Sequence, residues 1–308
     1  MTKPGISVVI VSWNTREITD RCLASIKKAV DFVKKLADVE VIVVENASTD
    51  GSYDMIAKKH PWVKLFNSGS DLGYGKGNNY GFKRTNPEYD YVLLLNNDAY
   101  VREDTLAKCL LFFQREKGCD LMGCQLRYED GRFQPSAGYL PTPFSVWGWI
   151  WGLDQIPGIK GLFRPVHPKY PEFFKSDREV GWVMGAFLFM KRPVYEKTNG
   201  FDENFFLYME EVEWCRRVSE AGFHIWYTPH FDIIHVDKAS AFGLPEEMVK
   251  IFYREIMGLM YLLRKYYPQE MWWIKISTQI GITVRLIAFT ILGNNMRREA
   301  YLKILKNL

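Results

Sequence analysis

The chain has 308 residues, 47% of them hydrophobic, which is enough apolar material for a substantial core and argues against a disordered chain. Its net charge of +4 is small for this length and no nucleic-acid-binding motif is present, so nucleic acid is disfavoured as a partner. Five cysteines without a C-x-x-C pair are typical of reduced thiols in the cytosol. The first apolar stretch is too short for a signal peptide, and export is not expected.

Buried strands and helices alternate through the first third of the chain. Apolar, β-branched runs predict strands at residues 6–12, 39–44, 63–66 and 91–95. Each run is followed by a segment with helical spacing of apolar residues, which after the third run begins near residue 76, beyond a glycine-rich loop. Strands that are apolar on both faces and joined by helices form parallel sheets. The predicted fold class is therefore α/β, a mainly parallel sheet flanked by helices.

The pattern weakens between residues 126 and 180 and becomes regular again at residues 182–190. A helix is predicted at residues 210–221, where Gly222 ends it, and a strand at residues 224–228. We assign these elements, with the strands before them, to one domain that covers residues 1–243.

Residues 244–308 form a second predicted segment, which is helical and basic. Pro245 opens a long amphipathic helix that ends before Pro268. The region 271–292 is apolar but includes Lys275, Gln279 and Arg285, which favours an interfacial helix over a transmembrane span. After Leu263 the chain has eight basic and two acidic residues. An anionic membrane surface is therefore a predicted partner.

Polar side chains follow the predicted strands of the first domain. They are Ser12, Trp13 and Asn14 after the first strand, Glu45 and Asn46 after the second, and Asn96, Asn97 and Asp98 after the fourth. Each group alone is more often a turn or a helix cap than a binding site. Because parallel strands bind ligands beyond their carboxyl ends, successive groups on one edge favour a ligand site.

The segment 73–79, GYGKGNN, follows the third strand. Its spacing is not G-x-G-x-x-G, and the chain lacks a G-x-x-x-x-G-K-[ST] loop, so nicotinamide cofactors and ATP-type phosphate binding are disfavoured. Backbone amides of the loop and Lys76 can still approach a diphosphate.

Two further positions offer acid–base or metal chemistry. Asp98 is well placed to hold a Mg²⁺ or Mn²⁺ ion shared with a diphosphate, which commonly takes one or two ligands from protein. His235 is either a buried, hydrogen-bonded histidine or a second metal ligand. Glu210, Glu211 and Glu213 lie in the first turn of a predicted helix, where the helix dipole explains at least one of them. A carboxylate there can also serve as a general base.

Five ordered motifs resemble those of the family-two inverting glycosyltransferases with the GT-A fold. They occupy residues 7–14, 43–52, 73–79, 94–98 and 200–213. The branch that contains bacterial rhamnosyltransferases is the most similar, and the Q-x-x-R-W motif of processive synthases is absent.

The resemblance implies roles for individual residues. Trp13 and Glu45 flank the nucleotide base, and residues 96–98 stand at the D-x-D metal tripeptide, with Asp98 as its single carboxylate. Glu211 is the catalytic base, where related enzymes usually have aspartate, and His235 lies near the donor diphosphate as a metal ligand. The residues predicted to bind the nucleotide sugar are Ser12, Trp13, Asn14, Glu45, Asn46, Lys76, Asn79, Asn96 and Asn97. Those predicted to bind the acceptor are Trp182, Glu210 and Arg254.

The predicted function is the transfer of one sugar, with inversion, to a saccharide or polyprenyl-diphosphate-linked acceptor in cell-surface polysaccharide synthesis. The donor implied by the resemblance is dTDP-rhamnose, with other UDP- or GDP-sugars as alternatives, and the implied cofactor is Mg²⁺ or Mn²⁺. The expected location is the cytoplasmic face of the cell membrane. A nucleotidyltransferase and a catalytically inactive nucleotide-sugar-binding protein are the competing interpretations, the latter because Asn96 and Glu211 depart from the family pattern.

Overall fold

The computed structural model describes residues 3–156, 158–159, 162–205, 208–237 and 245–307. The chain divides into two compact units. The first comprises Met1–Ala137, Lys169–Phe206 and Glu210–Val236, and the second comprises Gly138–Pro168, Leu207–Met209 and Asp237–Leu308. The second unit thus contains more of the chain than the predicted segment 244–308. The predicted boundary, between residues 243 and 244, falls among residues 238–244, which lie outside the described residues.

The strands are β1 (Gly5–Ser12), β2 (Asp38–Glu45), β3 (Lys64–Asn67), β4 (Tyr91–Asn96), β5 (Ala99–Tyr100), β6 (Leu121–Arg127), β7 (Phe133–Gln134), β8 (Ala137–Gly138), β9 (Arg178–Glu179), β10 (Trp182–Val183), β11 (Phe187–Lys191) and β12 (Ile225–His235). The helices are α1 (Arg16–Val33), α2 (Ser52–Lys59), α3 (Gly73–Phe82), α4 (Thr105–Arg115), α5 (Pro143–Ile150), α6 (Arg192–Thr198), α7 (Glu210–Glu220), α8 (Pro245–Tyr266), α9 (Met271–Ile291) and α10 (Asn295–Asn307). Short 3₁₀ helices lie at Leu153–Gln155 and Pro171–Phe174.

A mixed sheet forms the centre of the first unit, with the strand order β3-β2-β1-β4-β11-β6-β12-β5. Strands β1 to β4 are parallel to one another. Strand β11 runs antiparallel between β4 and β6, whereas β12 is parallel to β6 and antiparallel to β5. The predicted α/β class, a mainly parallel sheet flanked by helices, is confirmed.

Helices cover both faces of the central strands. On one face, Val8 and Ile10 of β1 join a buried cluster with Ile26 of α1. On the other face, α3 lies so close that a Cβ atom at Gly81 would be 2.4 Å from Cγ1 of Val9. Because real Cβ atoms do not approach so closely, glycine is required there for α3 to pack against β1.

Two elements differ from their predicted limits. The glycine-rich segment predicted as a loop is the first turn of α3, which begins at Gly73. The strand predicted at residues 224–228 continues to His235, with a register shift against β6 between Thr228 and Asp232. Such an irregularity bends a strand and re-aims the side chains that follow it.

The second unit contains α5 and the C-terminal helices α8 to α10. Gly281 of α9 packs on α5, since a Cβ atom there would be 2.6 Å from Cγ2 of Ile150. The indole nitrogen of Trp151 donates a hydrogen bond to Oγ of Ser277 in α9 at 2.9 Å. Among the described residues, α9 is the one helix long and apolar enough to cross a membrane, by length and composition alone.

Candidate active site

Strand register brings the polar strand ends to one level. Ser12 pairs with Glu45 across β1 and β2, and Val11 pairs with Asn96 across β1 and β4. Strands β2 and β3 lie on one side of β1 and β4 lies on the other. The order in which successive strands are added to the sheet therefore reverses at β1. Ligands of parallel α/β sheets bind in the crevice at such a switch point.

The loops after β1 and β2 are fastened to each other. The backbone N–H of Asn14 donates to Oγ of Ser48 at 2.9 Å, and Oδ1 of Asn14 accepts from the N–H of Thr49 at 2.9 Å. The buried carboxylate of Glu45 accepts from the N–H of Ser48 at 3.0 Å. Between these fixed residues the indole of Trp13 is 51% exposed, which leaves its face open for stacking.

Three other edge residues differ in how their polar atoms are used. Asn97 donates from Nδ2 to the hydroxyls of Thr15 and Thr19, and Oγ of Ser12 lies 3.0 Å from Oγ1 of Thr19. These side chains therefore hold the start of α1 at the edge. Asn46 donates to the carbonyl of Gly73 at 3.2 Å, but its buried Oδ1 has no hydrogen-bond partner among the described residues.

Asp98 and His235 meet at the same edge. His235 pairs with Ala99 where β12 runs along β5, and Nε2 of His235 lies 3.3 Å from Oδ1 of Asp98. On the other side of the ring, Nδ1 lies 3.0 Å from Oε1 of the buried Gln134. An amide oxygen only accepts, so a neutral His235 carries its proton on Nδ1 and directs the Nε2 lone pair towards Asp98.

Gln134 was not predicted as a site residue. Its sequence offers no motif, because it is a single polar residue in the weakly patterned middle of the chain.

The described residues contain no group of three or more His, Cys, Asp or Glu side chains that could hold a metal ion. Asp98 and His235 could together offer two donor atoms to a cation that takes its other ligands from a diphosphate and water, and their role as metal ligands stays a prediction.

The three carboxylates at the start of α7 have different environments. Glu213 is fully buried and forms an ion pair with Arg217, with Oε2 2.8 Å from a guanidinium nitrogen. Arg217 also donates to the carbonyl of Gly200 at 2.7 Å. This pair ties α7 to the segment before it, so the role of Glu213 is structural.

Glu210 is as buried as a core residue, with 3% of its surface exposed, and its Oε2 has no hydrogen-bond partner among the described residues. Burial raises the pKa of Glu210 well above its usual value, and the charge of Glu211 raises it further. Burial raises the pKa of the Tyr74 hydroxyl well above its usual value, and the charges of Glu211 and Glu210 raise it further. Glu211 itself is partly exposed.

Two adjacent carbonyl groups connect α3 to the sheet edge. The hydroxyl of Tyr74 donates to the carbonyl of Gly185 at 2.7 Å, and the N–H of Asn96 donates to the carbonyl of Ala186 at 3.1 Å. Tyr74 of α3 and the end of β4 are thus hydrogen-bonded to neighbouring residues of one segment.

The remaining predicted residues lie as follows. Lys76 is exposed in the first turn of α3, and Trp182 is buried in β10. Asn79 is buried. Its side-chain amide forms hydrogen bonds with the backbone of Phe201 and with Glu203, which connect α3 to that segment. Arg254 lies in α8 of the second unit. Ligand contacts by these four residues stay predictions.

A mixed sheet in this order, with polar side chains at the carboxyl edge of its parallel strands, is the architecture of the GT-A fold of glycosyltransferases. Comparison with known proteins narrows the class. The chain belongs to glycosyl transferase family 2, whose family profile matches residues 7–198. The resemblance seen in the sequence motifs is therefore confirmed, and the protein is a glycosyltransferase.

Similar proteins include two bacterial rhamnosyltransferases. The N-acetylglucosaminyl-diphospho-decaprenol L-rhamnosyltransferase of Mycobacterium tuberculosis is 27% identical over 252 residues, which cover 77% of this chain and 78% of that protein. The rhamnosyltransferase WbbL of Escherichia coli is 29% identical over 218 residues, which cover 67% of this chain and 78% of that protein.

Solved structures share the fold. The mannosyltransferase PcManGT of Pyrobaculum calidifontis, in complex with GDP-Man and Mn²⁺, matches with a TM-score of 0.56 and 14% identity, covering 99% of this chain and 86% of that chain. Residues 1–349 of Staphylococcus aureus TarS, in complex with UDP, match with a TM-score of 0.53 and 16% identity, covering 94% of this chain and 72% of that chain.

Proposed function

We propose that this glycosyltransferase moves a single rhamnose from dTDP-rhamnose to a lipid-linked saccharide, with inversion at the anomeric carbon. The observation that carries the reaction is the pair of carboxyl groups at the start of α7, in which Glu210 is buried and Glu211 is partly exposed. The names of the two rhamnosyltransferases above support rhamnose, and the first of them supports an acceptor on a polyprenyl diphosphate. Other UDP- and GDP-sugars are the alternative donors.

Glu211 is the general base of the proposed step. It takes the proton from the acceptor hydroxyl while the hydroxyl oxygen attacks the anomeric carbon, and the bond from that carbon to the nucleoside diphosphate breaks on the opposite face. Two neighbouring carboxyls resist carrying two charges. Because burial favours the neutral form of Glu210, the proton of the pair stays there and the negative charge falls on the more exposed Glu211.

The donor nucleotide occupies the sheet edge in this proposal. Trp13 stacks on the base, Glu45 and Asn46 border it, and Lys76 at the start of α3 meets the diphosphate. Asn46 supports this assignment because its buried Oδ1 lacks a partner among the described residues. A nucleotide N–H or hydroxyl group can satisfy that oxygen.

Asp98 and His235 would hold a divalent cation, Mg²⁺ or Mn²⁺. A carboxylate oxygen and an imidazole nitrogen, here 3.3 Å apart, are donor atoms of the kind that would bind such a cation. When bound, the cation neutralises charge that develops on the leaving diphosphate. Gln134 is a positioning residue in this proposal, because it fixes the orientation of the His235 ring.

Calorimetric titration with UDP, dTDP and GDP, each with Mn²⁺, Mg²⁺ or EDTA, tests the donor site. We expect dTDP to bind most tightly, in a metal-dependent way that Asp98→Ala abolishes. Absence of binding to all three nucleotides would refute the donor site.

Turnover is measured separately with dTDP-rhamnose and a polyprenyl-diphosphate-linked N-acetylglucosamine acceptor, and the product is examined for its anomeric configuration by NMR. Retention of configuration would refute the single-displacement step.

The enzyme works, in the same proposal, as a peripheral protein at the cytoplasmic face of the membrane. The lipid-linked acceptor and the basic C-terminal helices support this location.

A further inference from the structure

Helix α9 has a continuous apolar face that is exposed along its whole length. The face consists of Trp272, Ile276, Ile280, Val284, Ile287 and Ile291, whose exposed fractions range from 51% to 79%. Their spacing of three or four residues places them on one side of an α-helix. At about 1.5 Å per residue, this apolar stripe extends for roughly 28 Å.

The opposite side of α9 is the one that packs within the second unit. Its buried residues are Ile274, Thr278, Gly281 and Ile282. Gly281 meets Ile150, the indole of Trp151 donates to Ser277, and Arg285 donates to the carbonyl of Trp149 at 3.4 Å. The stripe is thus not the side that α5 and its neighbours cover, and the helix cannot bury both sides against them.

The charged residues near the stripe indicate which kind of surface binds it. Residues 271–298 contain no aspartate or glutamate but include Lys275, Arg285, Arg297 and Arg298. Glu270 and Glu299 lie at the two ends of this stretch, so its four cations still exceed the neighbouring carboxylates. An apolar stripe with a cationic excess fits a surface that offers hydrocarbon and negative charge together, which is an anionic bilayer. Trp272 at the start of α9 is the residue type that prefers the headgroup level.

We propose that α9 lies in the plane of an anionic membrane, with its stripe inserted below the headgroups and its opposite side holding the second unit. This inference deepens the peripheral location proposed above by naming the face that binds lipid. It depends on the second unit alone and not on the donor or the reaction. The helix is attached to α5 along one side, which favours an in-plane orientation over a crossing one.

Flotation of the full-length protein with vesicles tests this face. Wild type is expected to float with vesicles of phosphatidylglycerol and phosphatidylcholine, and less with phosphatidylcholine alone. The double substitution Ile280→Glu/Ile287→Glu is expected to lower the partition coefficient at least about tenfold, because charges replace inserted side chains. Leu111→Glu is the matched control, since Leu111 of α4 in the first unit is 61% exposed.

A second double variant changes the charges near the stripe and leaves the stripe itself unchanged. Lys275→Gln/Arg298→Gln is expected to weaken binding to anionic vesicles by about tenfold at low salt, with a smaller loss at high salt because salt screens surface charge. Nucleotide titration of every variant reports on the first unit, so loss of lipid binding and failure of the donor site are read separately.

Three results would overturn the inference. One is unchanged flotation of both double variants. Another is retention of the wild-type protein in membranes after alkaline carbonate washing, which would indicate a helix that crosses the bilayer. The last is self-association in sedimentation that the glutamate variant abolishes while lipid binding persists, because a second copy of the chain would then occupy the stripe.

Discussion

The carboxyl edge of the sheet and the first turn of α7 both gather buried polar side chains, but they satisfy them differently. At the edge, Glu45 accepts from Ser48, and Asn97 donates to Thr15 and Thr19. At α7, an oxygen of the buried Glu210 has no hydrogen-bond partner among the described residues, and its pKa is raised by burial and by Glu211.

We expect this difference to correspond to two tasks of the proposed site. Bonded side chains at the edge give a fixed shape, which a nucleotide can use without reorganising the protein. An electrostatically costly carboxyl pair is poor for stability but suits proton transfer, which is where strongly shifted pKa values concentrate. Changes at α7 should therefore alter turnover and its pH dependence, and changes at the edge should alter nucleotide binding.

The largest effect is expected from Glu211→Gln, which keeps the size of the side chain but cannot accept the proton. Turnover should fall by about 10²- to 10⁴-fold, the usual contribution of a general base. Nucleotide affinity, measured by calorimetry, should stay at the wild-type value. Turnover close to wild type would show that Glu211 is not the base.

The structural carboxylate of the same turn gives the next largest effect. Arg217→Met leaves the fully buried Glu213 without its ion-pair partner, so we expect the free energy of unfolding to fall by about 3 kcal/mol. Urea denaturation measures it. Lys27→Met is the control, because the pair of Lys27 with Asp31 is exposed and is worth about 0.5 kcal/mol or less. Equal losses in the two variants would contradict a structural role for Glu213.

Gln134→Leu tests the edge. Without the amide oxygen the ring of His235 loses its fixed orientation, so Mn²⁺-dependent nucleotide affinity should fall by about tenfold or more. Affinity in EDTA should not change, whereas Gln134→Glu keeps an acceptor oxygen and should restore most of the Mn²⁺-dependent affinity. An equal loss with and without metal would mean that Gln134 supports the fold and not the ring.

The smallest effect is expected for Glu210→Gln, and it is a change in pH dependence. The pKa of Glu210 is raised in the folded protein, so the folded state binds this proton more tightly than the unfolded state does. Wild-type stability relative to the variant is therefore greatest below about pH 4.3, the ordinary glutamate pKa, and falls as pH rises towards the folded pKa. Urea denaturation between pH 4 and pH 8 measures this. A relative stability that rises with pH would disprove the raised pKa.

The parallel half of the fold was predictable because its signals are local. Strands β1 to β4 are apolar on both faces and each is followed by a helix, which leaves few alternatives. The antiparallel insertion of β11 and the two-residue strand β5 depend on pairing between residues far apart in the chain. The start of α3 was missed because its glycines resemble a loop when only propensity is considered.

The same distinction applies to the site. Ser12, Glu45 and Asn96 could be grouped because parallel strands end at a common edge, and their register agrees. The i, i+4 spacing of Glu213 and Arg217 within one helix permits their ion pair, but the sequence motifs could not show that Glu213 and Glu210 are buried. Their burial depends on packing around α7, which a one-dimensional pattern does not contain.

The length of strand β12 determines where His235 lies at the edge of the sheet. It pairs with β6 from Ile225, shifts register before Asp232, and then delivers His235 opposite Ala99. Because side chains alternate between the two faces of a strand, removing one residue between 232 and 235 would turn the imidazole to the other face while leaving the first half of β12 in place. The presence of the imidazole at the edge thus depends on the exact number of residues in this short stretch, and a change of one residue would remove it.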